Sequence, residues 1–421
     1  MKNTILLFIC CVFAFIARAQ ENWPQFRGPN GQGISQATNL PVQWSANENI
    51  AWKTEIPGEG WSSPIVWNNH IFLTATTEEG KNCHVIAVDS RTGQIIWNKI
   101  VFTQQANQQR HDMNSYSTPT PVTDGNTVFA VFNNGSFAAL DFDGNIRWIN
   151  SDLDFYSQHG MGTSPILHGD LIILAVNHSN REEPRRLGWQ LPWDRSFLLA
   201  LDKNSGAERW RTLRGMTRAG HATPAVLNVN GKDQIISPVG DAIQGFDPAD
   251  GRLIWTVISD GEPCVPSPVF GGGLVYTVPT GNAPIRAIRP DGQGDCTATH
   301  IAWEERHNAS QMASFLYVNS FLYVCMNNGD ISCLDATTGE SVWRLQLRSG
   351  QLNPSPVYAD GKIYVLSEAG TTTVLQLSDD PRKPAEILSR NELNEQCRAS
   401  IAVAGNRLIL RTVNYIWGIG K

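Results

Sequence analysis

The stretch Asn353-Pro354-Ser355-Pro356-Val357-Tyr358-Ala359-Asp360-Gly361-Lys362-Ile363-Tyr364-Val365-Leu366 reads as two short strands joined by a tight turn. Pro356 opens the first strand and Asp360-Gly361 supplies the turn. The Val, Ile and Tyr on either side favour extended backbone. A second phrase, Leu334-Asp335-Ala336-Thr337-Thr338-Gly339-Glu340-Ser341-Val342-Trp343, reads as a third strand ending at Leu-Asp, a turn through Gly, and an outer strand carrying Trp. Together the two phrases make one four-stranded unit. Closing tryptophans stand at Trp52, Trp97, Trp148, Trp210, Trp255, Trp303 and Trp343, at spacings of 40 to 62 residues. A repeat of that length with four short strands per unit predicts an all-β ring of blades.

Working outward, units run Pro64–Trp97, Pro121–Trp148, Pro165–Trp210, Pro224–Trp255 and Pro268–Trp303. A sixth starts near Leu316 without a proline, and a seventh runs from Pro356 to Leu388 without a closing Trp. Two fragments remain. Ile401-Ala402-Val403, Leu408-Ile409-Leu410 and Tyr415-Ile416-Trp417 read as three strands with no fourth. Asn49-Ile50-Ala51-Trp52-Lys53-Thr54 reads as a fourth strand with no unit before it. Pairing them removes two unpaired sheet edges at the seam. The expectation is an eight-bladed β-propeller of four-stranded antiparallel blades, spanning 49–421, with the N-terminal strand closing the last blade. Seven blades capped by the terminal strands is the competing arrangement.

Residues 1–19 carry Lys2, an apolar run from Ile5 to Ile16, and Ala17-Arg18-Ala19 before Gln20. That is the pattern of a cleaved secretory leader, too short to span a bilayer, and implies a periplasmic or secreted protein. Residues 20–48 are then an N-terminal extension. A formal charge of −6 makes a nucleic-acid partner a poor fit. Beyond the leader stand Cys83, Cys264, Cys296, Cys325, Cys333 and Cys397. Export permits disulfides, with Cys325–Cys333 and Cys264–Cys296 as candidate pairs; buried free thiols are the favoured reading, because so large a ring does not need staples.

The recurrent Leu-Asp-x-x-x-Gly-x-x-x-Trp pattern resembles the tryptophan-docking repeat of quinoprotein dehydrogenases and the related pyrroloquinoline quinone (PQQ)-like propeller repeat. The periplasmic lipoprotein of the outer-membrane β-barrel assembly machinery belongs to the same group. Trp23-Pro24-Gln25-Phe26-Arg27-Gly28-Pro29-Asn30-Gly31 resembles the start of exported bacterial members. The resemblance implies three functions: a non-catalytic binding scaffold, a short PQQ-dependent alcohol or sugar dehydrogenase with calcium, or an outer-membrane assembly factor. The dehydrogenases carry adjacent cysteines and a Glu/Asn/Asp calcium set. The adjacent pair Cys10-Cys11 here lies in the leader, and no residue maps onto the calcium ligands. No catalytic position is therefore assigned and no cofactor is expected. CxxC, HxH, HExxH and GxSxG are absent too, so neither a metal nor a nucleophile is signalled.

A binding site is expected at the funnel, on the loops before each first strand. Three residues before the strand opener stand Trp61, Thr118, Gly162, His221, Val265, Ala313, Asn353 and Arg398. Trp61, His221, Asn353 and Arg398 combine an aromatic face, a titratable ring, an amide and a fixed cation, which suits a small polar ligand, a peptide or a protein partner. The 103–117 insertion adds Arg110, His111 and Tyr116, and His159 precedes blade three. The insertion from Asn177 to Asp194 carries Arg185, Arg186, Trp189 and Trp193, a composition found at protein contacts. Its alternative is that both tryptophans fold back on the ring.

Overall fold

The computed structural model describes residues 22–259, 264–278, 284–306 and 310–420. Residues 1–19, where a leader is expected, lie outside them. The described strands form eight sheets, each with a four-stranded antiparallel core. Blade one is Ile65–Trp67, His70–Thr77, Asn82–Asp89 and Ile95–Thr103. Blade eight is Ala402–Ala404, Arg407–Arg411 and Tyr415–Ile419, completed by Ile50–Glu55 from the other end of the chain. The closing pair runs antiparallel, Trp52 opposite Gly418 and Glu55 opposite Tyr415. Blade four gains a fifth, parallel strand, Gly294–Asp295, lent by the loop of blade five.

The repeat earns its residues at the blade interfaces. Trp52, Trp97, Trp148, Trp210 and Trp303 each lean onto the Asp-to-Gly turn of the next blade, whereas Trp343 donates to Pro381 O of blade seven at 3.0 Å, where the turn has no such Gly. The indole N–H of Trp52 donates to Ser90 O at 3.0 Å, Trp97 to Phe142 O at 2.7 Å, and Trp148 to Lys203 O at 3.0 Å. The turn glycine underneath is pressed so closely that a Cβ on Gly206 would lie 2.5 Å from the Trp148 ring, and its φ is +72°. Only glycine meets both demands. Asp89, Asp202 and Asp335 accept the N–H groups two and three residues on, as Asp202 does from Asn204 and Ser205, while Asp141 accepts from Asp143 and Asn145. Trp255 departs from the rule. Its N–H bonds Gln234 of its own blade at 2.8 Å, because blade five replaces the short turn with Thr297–His300 and its surroundings.

All six described cysteines are buried and free. Cys325 and Cys333 are not opposite: Cys325 faces Ile331, and Cys333 faces Tyr323. Neither candidate pair is joined, and burial raises the Cys333 and Cys264 thiols to about 12.

The N-terminal extension is not an appendage. Trp23 pairs with Val66 of blade one, Thr123 of blade two donates to Pro24 O at 2.9 Å, Phe270 of blade five donates to Gln32 Oε1 at 3.0 Å, and Gly33 and Ser35 bond Tyr358 of blade seven. Arg27 donates to Phe315 O of blade six. Residues 22–35 therefore cross the axis, held by the exposed edges of the innermost strands.

Candidate functional site

A cavity of about 130 Å³ lies on the propeller axis. Phe26, from the crossing segment, lines one side. Trp61, Thr118, Gly162, His221, Val265, Met312, Asn353 and Arg398 line the other, one residue per blade. The position expected at Ala313 belongs to Met312. Blade six lacks the proline: its first strand begins at Leu316, and Phe315 stands where the other blades have Pro, so counting back from Leu316 shifts the rim position by one. Two residues after each rim position comes a hydroxyl: Ser63, Thr120, Ser164, Thr223, Ser267, Ser314, Ser355 and Ser400, all on the same cavity.

The rim is chemically mixed. Glu368, on the turn between the second and third strands of blade seven, accepts from both Asn353 Nδ2 and Arg398 Nη1. The Arg398 guanidinium also lies over the Trp61 ring, 5.0 Å from its centroid. The fixed cation of the expected set is thus already paired, and a ligand carboxylate must exchange with Glu368 to reach it. Sequence reading missed Glu368, whose signal was its place in a turn on the funnel face.

His221, His159 and His111 form a chain of rings, with centroids 5.6 Å and 5.4 Å apart. Trp189 packs against His159 at 5.5 Å. His111 Nδ1 accepts from Met113 N at 3.1 Å, which commits that nitrogen to the protein. Burial, with the neighbouring His111 and Arg185, brings His159 down to about 4. Burial, with His159 and His111, brings His221 down to about 3. Both rings are neutral at pH 7.

That has a stability consequence with a definite sign. In the unfolded chain these histidines titrate near 6.5. As pH falls below that, the unfolded chain takes up protons that the folded chain refuses until about 4 and 3. Stability is whole above about pH 6.5 and declines on acidification through that window. Denaturant midpoints measured from pH 7 to pH 4 are expected to fall, and to fall less in His159→Gln/His221→Gln. Equal slopes in both proteins would contradict the assignment.

The remaining expected residues divide. Arg110 pairs with Glu59 at 3.2 Å and lies over Tyr116, whose ring is buried beneath Gly80. These two brace the 103–117 insertion and do not line the cavity; Met113 of that loop does. Trp189 and Trp193 fold back, half-buried, the latter against His178 at 6.0 Å. Arg181 fixes this insertion through a bidentate pair with Asp154, both bonds at 3.0 Å. Arg185, Arg186, Leu187 and Leu191 remain exposed beside the mouth.

Comparison with known proteins follows from this geometry. Solved structures with the same ring include BamB from Moraxella catarrhalis, at TM-score 0.58 and 16% identity over 87% of this chain and 96% of that one. The computationally designed Ika8 protein gives TM-score 0.58 and 9% identity over 87% and 98%. A europium-containing methanol dehydrogenase gives TM-score 0.52 and 12% identity over 94% and 90%. Identities this low speak for the fold alone. No curated protein sequence matches the chain. Residues 34–195, 194–317, 297–383 and 327–416 match one repeat family, so that nearly the whole ring is covered: the chain belongs to the PQQ-like repeat family described as outer membrane protein assembly factor BamB.

Proposed function

We propose that this protein is an exported, non-catalytic scaffold that holds a protein or peptide partner on its funnel face, in outer-membrane protein assembly. The observation that carries the reading is the shallow mouth. Phe26 lines the axial cavity, which holds about 130 Å³. Pockets that enclose a drug-sized or cofactor-sized molecule run to roughly 300–1,000 Å³. A partner here is gripped at the rim, where Arg185, Arg186, Leu187 and Leu191 offer charge and apolar surface together. The family's description and the Moraxella neighbour supply the assembly context. A small polar ligand in the cavity is the narrower form of the same reading.

The rival is a PQQ-dependent oxidoreductase with calcium. The residues present do not fit that group. Among the described residues no three His, Cys, Asp or Glu side chains are placed to hold a metal. Among the described residues the rim's one carboxylate, Glu368, is taken by Arg398 and Asn353.

Photo-crosslinking from position 187 in cells is expected to trap a protein of the outer-membrane assembly machinery. Arg185→Glu with Arg186→Glu is expected to cut the yield about tenfold, the loss of ~1.4 kcal/mol in rim contacts. Undiminished crosslinking in that variant removes the face from consideration. In a parallel arm, purified protein mixed with PQQ and calcium is expected to retain no chromophore through gel filtration. Retention with dye-linked alcohol or sugar oxidation reverses the reading.

A further inference from the structure

The eight hydroxyls on the axis form a one-way circle of hydrogen bonds. Ser63 N donates to Thr120 Oγ1 at 3.0 Å, Thr120 N to Ser164 Oγ at 2.9 Å, and Ser164 N to Thr223 Oγ1 at 3.1 Å. The circle resumes with Ser267 N to Ser314 Oγ at 3.0 Å, Ser314 N to Ser355 Oγ at 3.0 Å, Ser355 N to Ser400 Oγ at 2.9 Å, and Ser400 N to Ser63 Oγ at 2.9 Å. One link is missing, from Thr223 to Ser267. Ser267 Oγ, in a residue only 5% exposed, has no hydrogen-bond partner.

The direction of these bonds decides what the circle lacks. Each oxygen but one already accepts a main-chain N–H. None of the eight hydroxyls donates its own proton to a protein acceptor among the described residues. Eight buried O–H groups around one cavity are thus in want of an acceptor, and leaving buried donors unmade is costly.

The surrounding charge has the matching sign. Arg27 and Arg411 are buried, and no carboxylate pairs with either among the described residues. Arg27 donates to Phe315 O, beside Ser314, and Arg411 Nη1 to Ser62 O and Oγ, beside Ser63. Two unpaired guanidinium charges thus flank the circle, and in a buried setting their field acts strongly. Among the described residues Glu368 is the carboxylate that lines the cavity; Arg398 pairs its charge and Asn353 donates it a further hydrogen bond. His221 stands above the circle as a neutral ring.

We infer that the hydroxyl circle on the axis is a binding site for a small monovalent anion, a halide or a carboxylate group, taken up through the funnel mouth. A closed-shell anion accepts from several O–H groups at once and brings no donor of its own. Water fills the same space less well, because each molecule adds two protons that need acceptors. The site does not depend on a partner at the rim: a scaffold that captures nothing there still has this circle.

The test uses the purified chain in buffer whose only anion is a bulky sulfonate, at constant ionic strength. Titration with sodium bromide or sodium acetate is expected to raise the unfolding temperature saturably, and a bromide-soaked crystal to show its anomalous peak on the axis within the circle. Response to both probes assigns a free-anion site. Response to acetate alone assigns a carboxylate pocket. Ser267→Ala is expected to fold as well as wild type, since its hydroxyl bonds nothing in the protein, and to weaken anion binding about tenfold, the worth of one charge-assisted hydrogen bond. Thr223→Val, at the other side of the gap, is expected to weaken it similarly. The inference is overturned if neither anion saturates, if the response follows sodium against choline instead, or if Ser267→Ala binds as tightly as wild type.

Discussion

A chain lacking Ile50–Glu55 is expected to lose its cooperative unfolding transition near ambient temperature and to be cut rapidly by protease within Tyr415–Ile419. That six-residue strand is the outer wall of blade eight. Its Trp52 is 8% exposed, donates to Ser90 O, and packs on Gly93 of blade one and on Gly418 of its own blade. Thr54 Oγ1 adds a bond to Gly93 O at 2.6 Å. Losing the strand removes a sheet edge, a blade interface and the link between the two chain ends in one step. Truncating one buried Trp costs ~3–5 kcal/mol by itself, against a whole-protein stability of roughly 5–15 kcal/mol. Trp52→Ala, the gentler variant, is expected to lose about that first amount in a denaturant titration. An unchanged melting curve for the deletion would falsify closure through this strand.

The second large effect belongs to the crossing segment. Removing residues 22–35 is expected to open the axis end to end and to release four inner-strand amides to solvent. Those amides are Val66, Thr123, Phe270 and Tyr358, which donate to Trp23 O, Pro24 O, Gln32 Oε1 and Gly33 O. Hydrogen exchange reads them individually, and all four should exchange much faster in the deletion while outer-strand amides change little. Trp23→Ala isolates one anchor. Its indole is 1% exposed and lies against Gly28, where a Cβ would approach within 2.8 Å, so a loss of ~3–5 kcal/mol is expected. If the four amides stay protected in the deletion, the segment is not what holds them.

These two regions differ in how far they could be read from the sequence. Blade number and closure were legible because each blade repeats the same local demands. An Asp must cap a turn, a Gly must take positive φ under an indole, and a Trp must reach the neighbouring blade. The funnel rim was legible for the same reason, since Trp61, His221, Asn353 and Arg398 stand at one phase of the repeat. Where the repeat loses a marker, the reading slips: without a proline before Leu316, the rim position of blade six was counted from the strand itself, and Ala313 was taken for the place that Met312 holds. Trp255 carries the marker but not the contact, because the partner turn in blade five is rebuilt. The crossing segment has no period at all. Its partners, from Val66 to Tyr358, are distant in the chain and supply edge hydrogen bonds that leave little trace in side-chain identity. Glu368 was missed similarly, as a lone acid in a turn whose importance comes from two residues on other loops.

Because the outermost strand of the last blade is synthesised before all the strands it closes, the ring cannot be sealed until Tyr415–Ile419 leave the ribosome. A nascent chain stopped short of Tyr415 carries Trp52 and its strand with nowhere to dock, and its last blade without an outer wall. Termination ahead of Tyr415 therefore yields a product that displays open edges to proteases and chaperones rather than a shortened but serviceable one.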